Sequence, residues 1–138
     1  MLTKNDLERL AQLRLDDARF LFQAGRASSA YYLAGYAVEL ALKACIAKLM
    51  QANVIPDKAF INDIYTHRLD RLLSTAGLGP QFSIDSKANS KFAAYWANVT
   101  KWTEESRYEF WDPVAAAALL EAVDDPGNGV FRWLKKHW

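Results

Sequence analysis

A single stretch constrains this chain more than any other: from Ala30 to Met50 nearly every position is apolar or small. Tyr31, Tyr32, Leu33, Tyr36, Val38, Leu40, Leu42, Ile46, Leu49 and Met50 leave no polar face on a helix drawn through them. A helix apolar all round must be surrounded by other helices or by lipid. Glu39, Lys43 and Lys48 interrupt the run, and charges at those places argue against a membrane span. The stretch is therefore read as the central helix of a soluble bundle, starting at Ser28 or Ser29 as N-cap and running to about Ala52. Its alanines and Gly35 permit close approach by neighbours.

The other helices follow from periodicity and caps. Thr3 with Asp6 is a capping signal for a helix from about Asn5 to Ala24, with Leu7, Leu10, Ala11, Ala18 and Leu21 on one side and Gly25 beyond its end. After a break at Asn53 to Pro56, a short helical turn covers Lys58 to Ile64. Thr66 is read as the cap of a helix from His67 to Ala76, ended by Gly77, Gly79 and Pro80. Gln81 to Ser86 reads as a loop, and Lys87 to Thr103 as a helix with Phe92, Tyr95, Trp96, Val99 and Trp102 in a stripe. Asp112-Pro113 is an N-cap followed by proline at the first helical position, opening a helix through Val123. A last short helix covers Val130 to about His137. No strand alternation, internal repeat or low-complexity linker interrupts the series. The fold class expected is all-α: one domain over 1–138, an up-and-down bundle of four main helices with additional short helices.

Charge and cysteine content narrow the function. A net charge of +1, with both signs interspersed, gives no global field for nucleic acid, so phosphate would have to be held by a local cluster. The one cysteine, Cys45, rules out an internal disulfide and a multi-cysteine zinc site, and its apolar setting reads as core. No cofactor and no metal site is expected. The segment Met1 to Asp6 lacks an apolar signal region, and a cytoplasmic location with no membrane association is the expectation. Five Trp, six Tyr and seven Phe supply core volume first and an interface second.

Few residues could carry chemistry. Glu39 and Lys43 stand one turn apart in the favourable order for an ion pair, on a helix where burying charge is costly. They fix helix packing, face a ligand, or form an ordinary exposed pair. His67 could cap locally, donate to phosphate or shuttle a proton. Arg107-Tyr108 could clamp phosphate and stack on a base, or Arg107 could pair with Glu39 or Glu109. The run Arg132-Lys135-Lys136-His137 is a small basic patch, read as a solvated terminus or a weak contact for RNA or an acidic partner.

Three segments together resemble the HEPN domain family (higher eukaryotes and prokaryotes nucleotide-binding). They are Ser29-Ala30-Tyr31-Tyr32 leading into Ala37-Val38-Glu39-Leu40-Ala41-Leu42-Lys43-Ala44, then Tyr65-Thr66-His67-Arg68-Leu69, then Ser106-Arg107-Tyr108 before the last long helix. The resemblance implies a dimerising helical bundle linked to nucleotides or RNA, often beside a partner nucleotidyltransferase in prokaryotic toxin–antitoxin or defence systems. Active ribonucleases of the family are metal-independent and use Arg followed after four to six residues by His, at the start of the last long helix. Arg107 stands about there, but Trp111, Asp112, Pro113 and Val114 fill the window and no histidine is present. Arg132 and His137 match the spacing formally, displaced to the C-terminus, and in a regular helix they would diverge by about 140°. The expectation is thus a non-catalytic nucleotide- or RNA-binding homodimer using Glu39, Lys43, His67, Arg107 and Tyr108. The alternatives are a ribonuclease with an altered site, in which His67 replaces the missing histidine, and a purely structural interaction module with exposed tryptophans at Trp96/Trp102 or Trp133/Trp138.

Overall fold

The computed structural model describes residues 2–138, and among them there is no strand. The first helix, α1 (Lys4–Gln23), starts at the Thr3–Asp6 signal. Thr3 Oγ1 accepts from the Asp6 N–H and the Asp6 carboxylate accepts from the Thr3 N–H, a reciprocal capping box. It ends where Gly25 adopts φ +80, a left-handed residue that lets the Gly25 and Arg26 N–H groups close back on Phe22 and Leu21. The chain then reverses into α2 (Ala27–Ala47), which packs along α1.

The order continues with α3 (Lys58–Ile64), α4 (Leu69–Thr75), α5 (Gly79–Ala88), α6 (Ser90–Val99), a 3₁₀ turn (Glu104–Tyr108), α7 (Pro113–Asp124) and α8 (Val130–Lys135). Helix α2 touches α1, α4, α7, α8 and the 3₁₀ turn, which is the central position its all-round apolar character requires. By length and composition it could cross a membrane, but 72% of its most apolar stretch is buried inside the fold. Its partners bring Leu15, Leu72, Leu119, Phe131 and Leu134 against Leu42 and Ile46 in one core. Cys45 lies in that core, and burial pushes its thiol pKa up to about 11. Arg19 of α1 forks onto Asp124 at the end of α7, Nε to Oδ2 at 2.6 Å and Nη2 to Oδ1 at 2.5 Å.

Several local expectations are corrected. The N-cap of α2 is Arg26, with no side-chain cap bond, and neither Ser28 nor Ser29 fills that role. Ser28 Oγ instead accepts from the Trp111 N–H at 2.8 Å, tying the segment before α7 to the start of α2. The helix stops at Ala47 rather than Ala52. Thr66 does not cap the fourth helix, whose N-cap is Arg68; His67 lies in the connection before it. Gln81 to Ser86 is helical, because Pro80 occupies the first turn of α5 instead of terminating its predecessor. Phe82 anchors α5, its ring 5.8 Å from Phe92 and 5.3 Å from Trp96. The helix expected over Lys87 to Thr103 is cut at Asn89, whose side chain accepts from the Phe92 N–H and starts α6 afresh.

Candidate functional site

The sequence of α2 places Tyr32, Tyr36, Glu39 and Lys43 at i, i+4, i+7 and i+11, a spacing that keeps all of them within about 60° of one face. Tyr32 lies 5.9 Å from Tyr36 and 6.0 Å from Trp102, ring to ring. Trp102 itself is seated over Gly35, the one α2 position where the absence of a Cβ leaves room for an indole.

Glu39 is only 2% exposed, yet it carries a carboxylate. Two groups compensate it. The His67 Nδ1–H meets Oε1 at 2.7 Å, and Lys43 Nζ lies 3.7 Å from Oε2. An ionised carboxylate can only accept, so the contact assigns the proton of a neutral imidazole to Nδ1 and leaves Nε2 free as an acceptor. The His67 side chain is 48% exposed and borders a cleft of about 540 Å³ with Arg68, Trp96, Thr100, Trp102 and Thr103. Chemically, Nε2 can take up a proton, and the doubly protonated ring can then donate from Nε2 to a phosphate oxygen in a direction fixed by Glu39.

Arg107 and Tyr108 form the second group, on the 3₁₀ turn. The guanidinium carbon is 4.9 Å from the Tyr108 ring centre, and Tyr108 is 72% exposed, with Phe110 fully exposed two residues on. Electrostatic contact with Tyr108 first, and with Tyr32 behind it, raises the Arg107 pKa above the ordinary guanidinium value, so it is a permanent cation. Among the described residues it forms no ion pair, which rules out the Glu39 and Glu109 bridges as alternatives. Arg107 borders a cleft of about 340 Å³ with Ser28, Ser29, Tyr32, Ser106 and Glu109. Ser106 is buried there, and its hydroxyl has no hydrogen-bond partner.

The five sequence candidates therefore occupy one side of α2 as two groups. Glu39, Lys43 and His67 are in direct contact, as are Arg107 and Tyr108, and no contact links the groups. Tyr32, beside Arg107, and Glu39, beside His67, are seven residues apart, an axial distance of about 10 Å. Tyr32, Tyr36 and Ser106 were not among the candidates; the period of Tyr32, Tyr36, Glu39 and Lys43 along α2 was the signal for the first two. The tryptophans proposed as exposed surfaces are core: Trp96, Trp102 and Trp133 are buried and Trp138 is half-buried. The exposed aromatics are Phe20, Tyr65, Tyr108 and Phe110. Arg132 and His137 also depart from expectation. Helix α8 ends at Lys135, so His137 leaves the helical path and borders the same cleft as Arg132.

Fold and site together define an all-α bundle whose central helix carries a buried acid and a stripe of aromatic and basic groups. A family model of the HEPN domain matches residues 5–123, and the chain belongs to the HEPN domain family. That membership places it among domains with a general link to nucleotides and RNA. The match runs from α1 almost to the end of α7 and leaves α8 outside. No curated protein and no solved structure matches the chain.

Proposed function

We propose that this protein is a non-catalytic nucleotide- or RNA-binding module that works as a homodimer, in the setting of a prokaryotic toxin–antitoxin or defence system with a partner nucleotidyltransferase. The observation that carries the reading is the Arg107–Tyr108 pair: an unpaired guanidinium beside an exposed ring, at the end of the aromatic stripe of α2. A guanidinium without an internal counter-ion is available to phosphate oxygens, and an exposed ring is a platform for a base. The His67 Nε2, fixed in direction by Glu39, supplies a further polar contact on the same side of α2. The dimer and the partner enzyme are supported by family membership and by the exposed Phe110 and Val114 next to the site. A ligand that binds only the folded state raises the melting temperature. A panel of nucleotides is expected to include members that raise it by several degrees, with the rise lost in Arg107→Ala. An unchanged melting curve across the panel would contradict the proposal.

One observation favours a second reading, a metal-independent ribonuclease with an altered site: the carboxylate–imidazole contact between Glu39 and His67, a geometry suited to acid–base work. Against it, Arg107 borders a different cleft from His67, and nothing holds both on one phosphate. Metal-free cleavage of single-stranded RNA that disappears in His67→Ala would support this reading over the first.

A further inference from the structure

Another cleft, of about 560 Å³, is not part of the site above. It opens between the end of α5 and the α7–α8 connection, and much of its wall comes from residues beyond position 123, outside the segment that the family model matches. We propose that this cleft is a separate binding site for a phosphate ester of nucleotide size, with Arg132 and Lys136 holding the phosphate.

The cleft carries an excess of positive charge. The carboxylates nearest the cleft are already committed to donors of this chain. Asp85 accepts from Trp133 Nε1 at 2.8 Å and from Gln81 Nε2 at 3.0 Å, and Asp125 accepts from the Asn128 N–H at 2.8 Å. The cations are not committed: among the described residues, neither Arg132 nor Lys136 forms an ion pair. Both border the cleft, as does His137, whose ring lies 4.6 Å from that of Trp133. Lys48 adds to the positive surroundings, its ammonium donating to the His137 carbonyl at 3.4 Å. An anion entering here meets three exposed cations, Arg132, Lys135 and Lys136, against one lining carboxylate, Asp85. The hydrogen bonds of Asp85 to neutral donors leave its charge in place, so the balance at the cleft is positive.

The rest of the cleft sets the kind of anion. The Asn89 and Asn128 amides, joined at 2.7 Å, form one polar wall, while Ala88, Phe92 and Pro126 give an apolar side. The volume lies within the usual ligand range of about 300–1,000 Å³, too large for inorganic phosphate alone and suited to a phosphate carried on a sugar and base. The guanidinium fork matches two phosphate oxygens, and the lysine adds a point charge. Burial holds the His137 pKa below the ordinary value, with Asp85 opposing and Lys48 and Lys136 reinforcing, so a phosphate beside it would favour the charged ring.

The chain has two histidines, His67 and His137, and each borders a different cleft. Their imidazole NMR signals therefore report on the two places separately. Titration with adenosine monophosphate is expected to move the His137 signals and the Trp133 indole N–H saturably. The double variant Arg132→Gln/Lys136→Gln, which alters only exposed side chains, is expected to weaken that response at least about tenfold. Adenosine without phosphate is expected to leave the signals in place. Static His137 signals, equal binding of adenosine, or stronger binding of oligoglutamate than of the nucleotide would each overturn the inference. Movement of His67 alone would also overturn it and leave the function proposed for the α2 side intact.

Discussion

Gly35→Ala is expected to destabilise the protein by about 2–4 kcal/mol, although alanine is intrinsically the better helix former by about 1 kcal/mol. A Cβ built at position 35 falls 2.2 Å from Trp102 Cγ and 2.3 Å from Cδ1 and Cδ2. Contacts that short are not tolerated, so either the indole or the helix must move. Trp102 is 2% exposed and packed beside Tyr32, so shifting the ring gives up buried contacts. The strain therefore outweighs the gain in propensity. Urea unfolding measures the loss. The mechanism has a control: Trp102→Leu opens a cavity and costs about 3 kcal/mol alone, but in the Gly35→Ala background it also removes the clash. The double variant is expected to lose less than the sum of the single losses, by at least about 1 kcal/mol. Strict additivity would mean that the two residues do not oppose each other.

Glu39→Ala is expected to cost about 2–4 kcal/mol, toward the lower end of what breaking a buried charge pair costs. The lower end follows from the partners. His67 is about half exposed and Lys43 partly so, and both can turn to water once the carboxylate is gone. Glu39→Leu separates charge from volume, because an apolar residue of similar size fills the space without leaving a buried charge unpaired. That variant is expected to stay within about 1 kcal/mol of the parent, while losing the fixed direction of His67 as completely as Glu39→Ala does. Thermal or urea unfolding reads the first part. The His67 imidazole signal, free of its carboxylate contact, reads the second. A Glu39→Leu protein as unstable as Glu39→Ala would mean that the polar contacts themselves hold the bundle together.

How much of this was legible in the sequence depends on how local the cause was. The central place of α2 is written in its composition, since an all-round apolar helix has nowhere else to go. The start of α1 at Thr3 and the start of α7 at Asp112-Pro113 are fixed by side chains within three residues of the cap, and both were readable. The family followed from three short segments in order. The start of α5 has no unique local signal, because Gly79-Pro80 serves equally well to end one helix or begin the next, and only the packing of Phe82 against Phe92 and Trp96 decides which. Ser28 has the chemistry of a cap and is used as a tether, 83 residues away, to Trp111. Within the candidate site, Glu39 and Lys43 were visible as an i,i+4 pair. The contact of His67 with Glu39 joins positions 28 residues apart and depends on how α4 docks on α2. The separation of Arg107 from His67 along α2 likewise belongs to tertiary structure and has no local signature.

The central claim is that Arg107 and Tyr108 hold a nucleotide or RNA without cutting it. Fluorescence anisotropy of a labelled single-stranded RNA, titrated with the protein in the absence of metal, tests this most directly when the same samples are then run on a denaturing gel. Saturable binding is expected, weakened at least about tenfold by Arg107→Ala and several-fold by Tyr108→Ala, with the RNA recovered intact. Identical isotherms for the parent and Arg107→Ala, or RNA recovered in fragments, would contradict it.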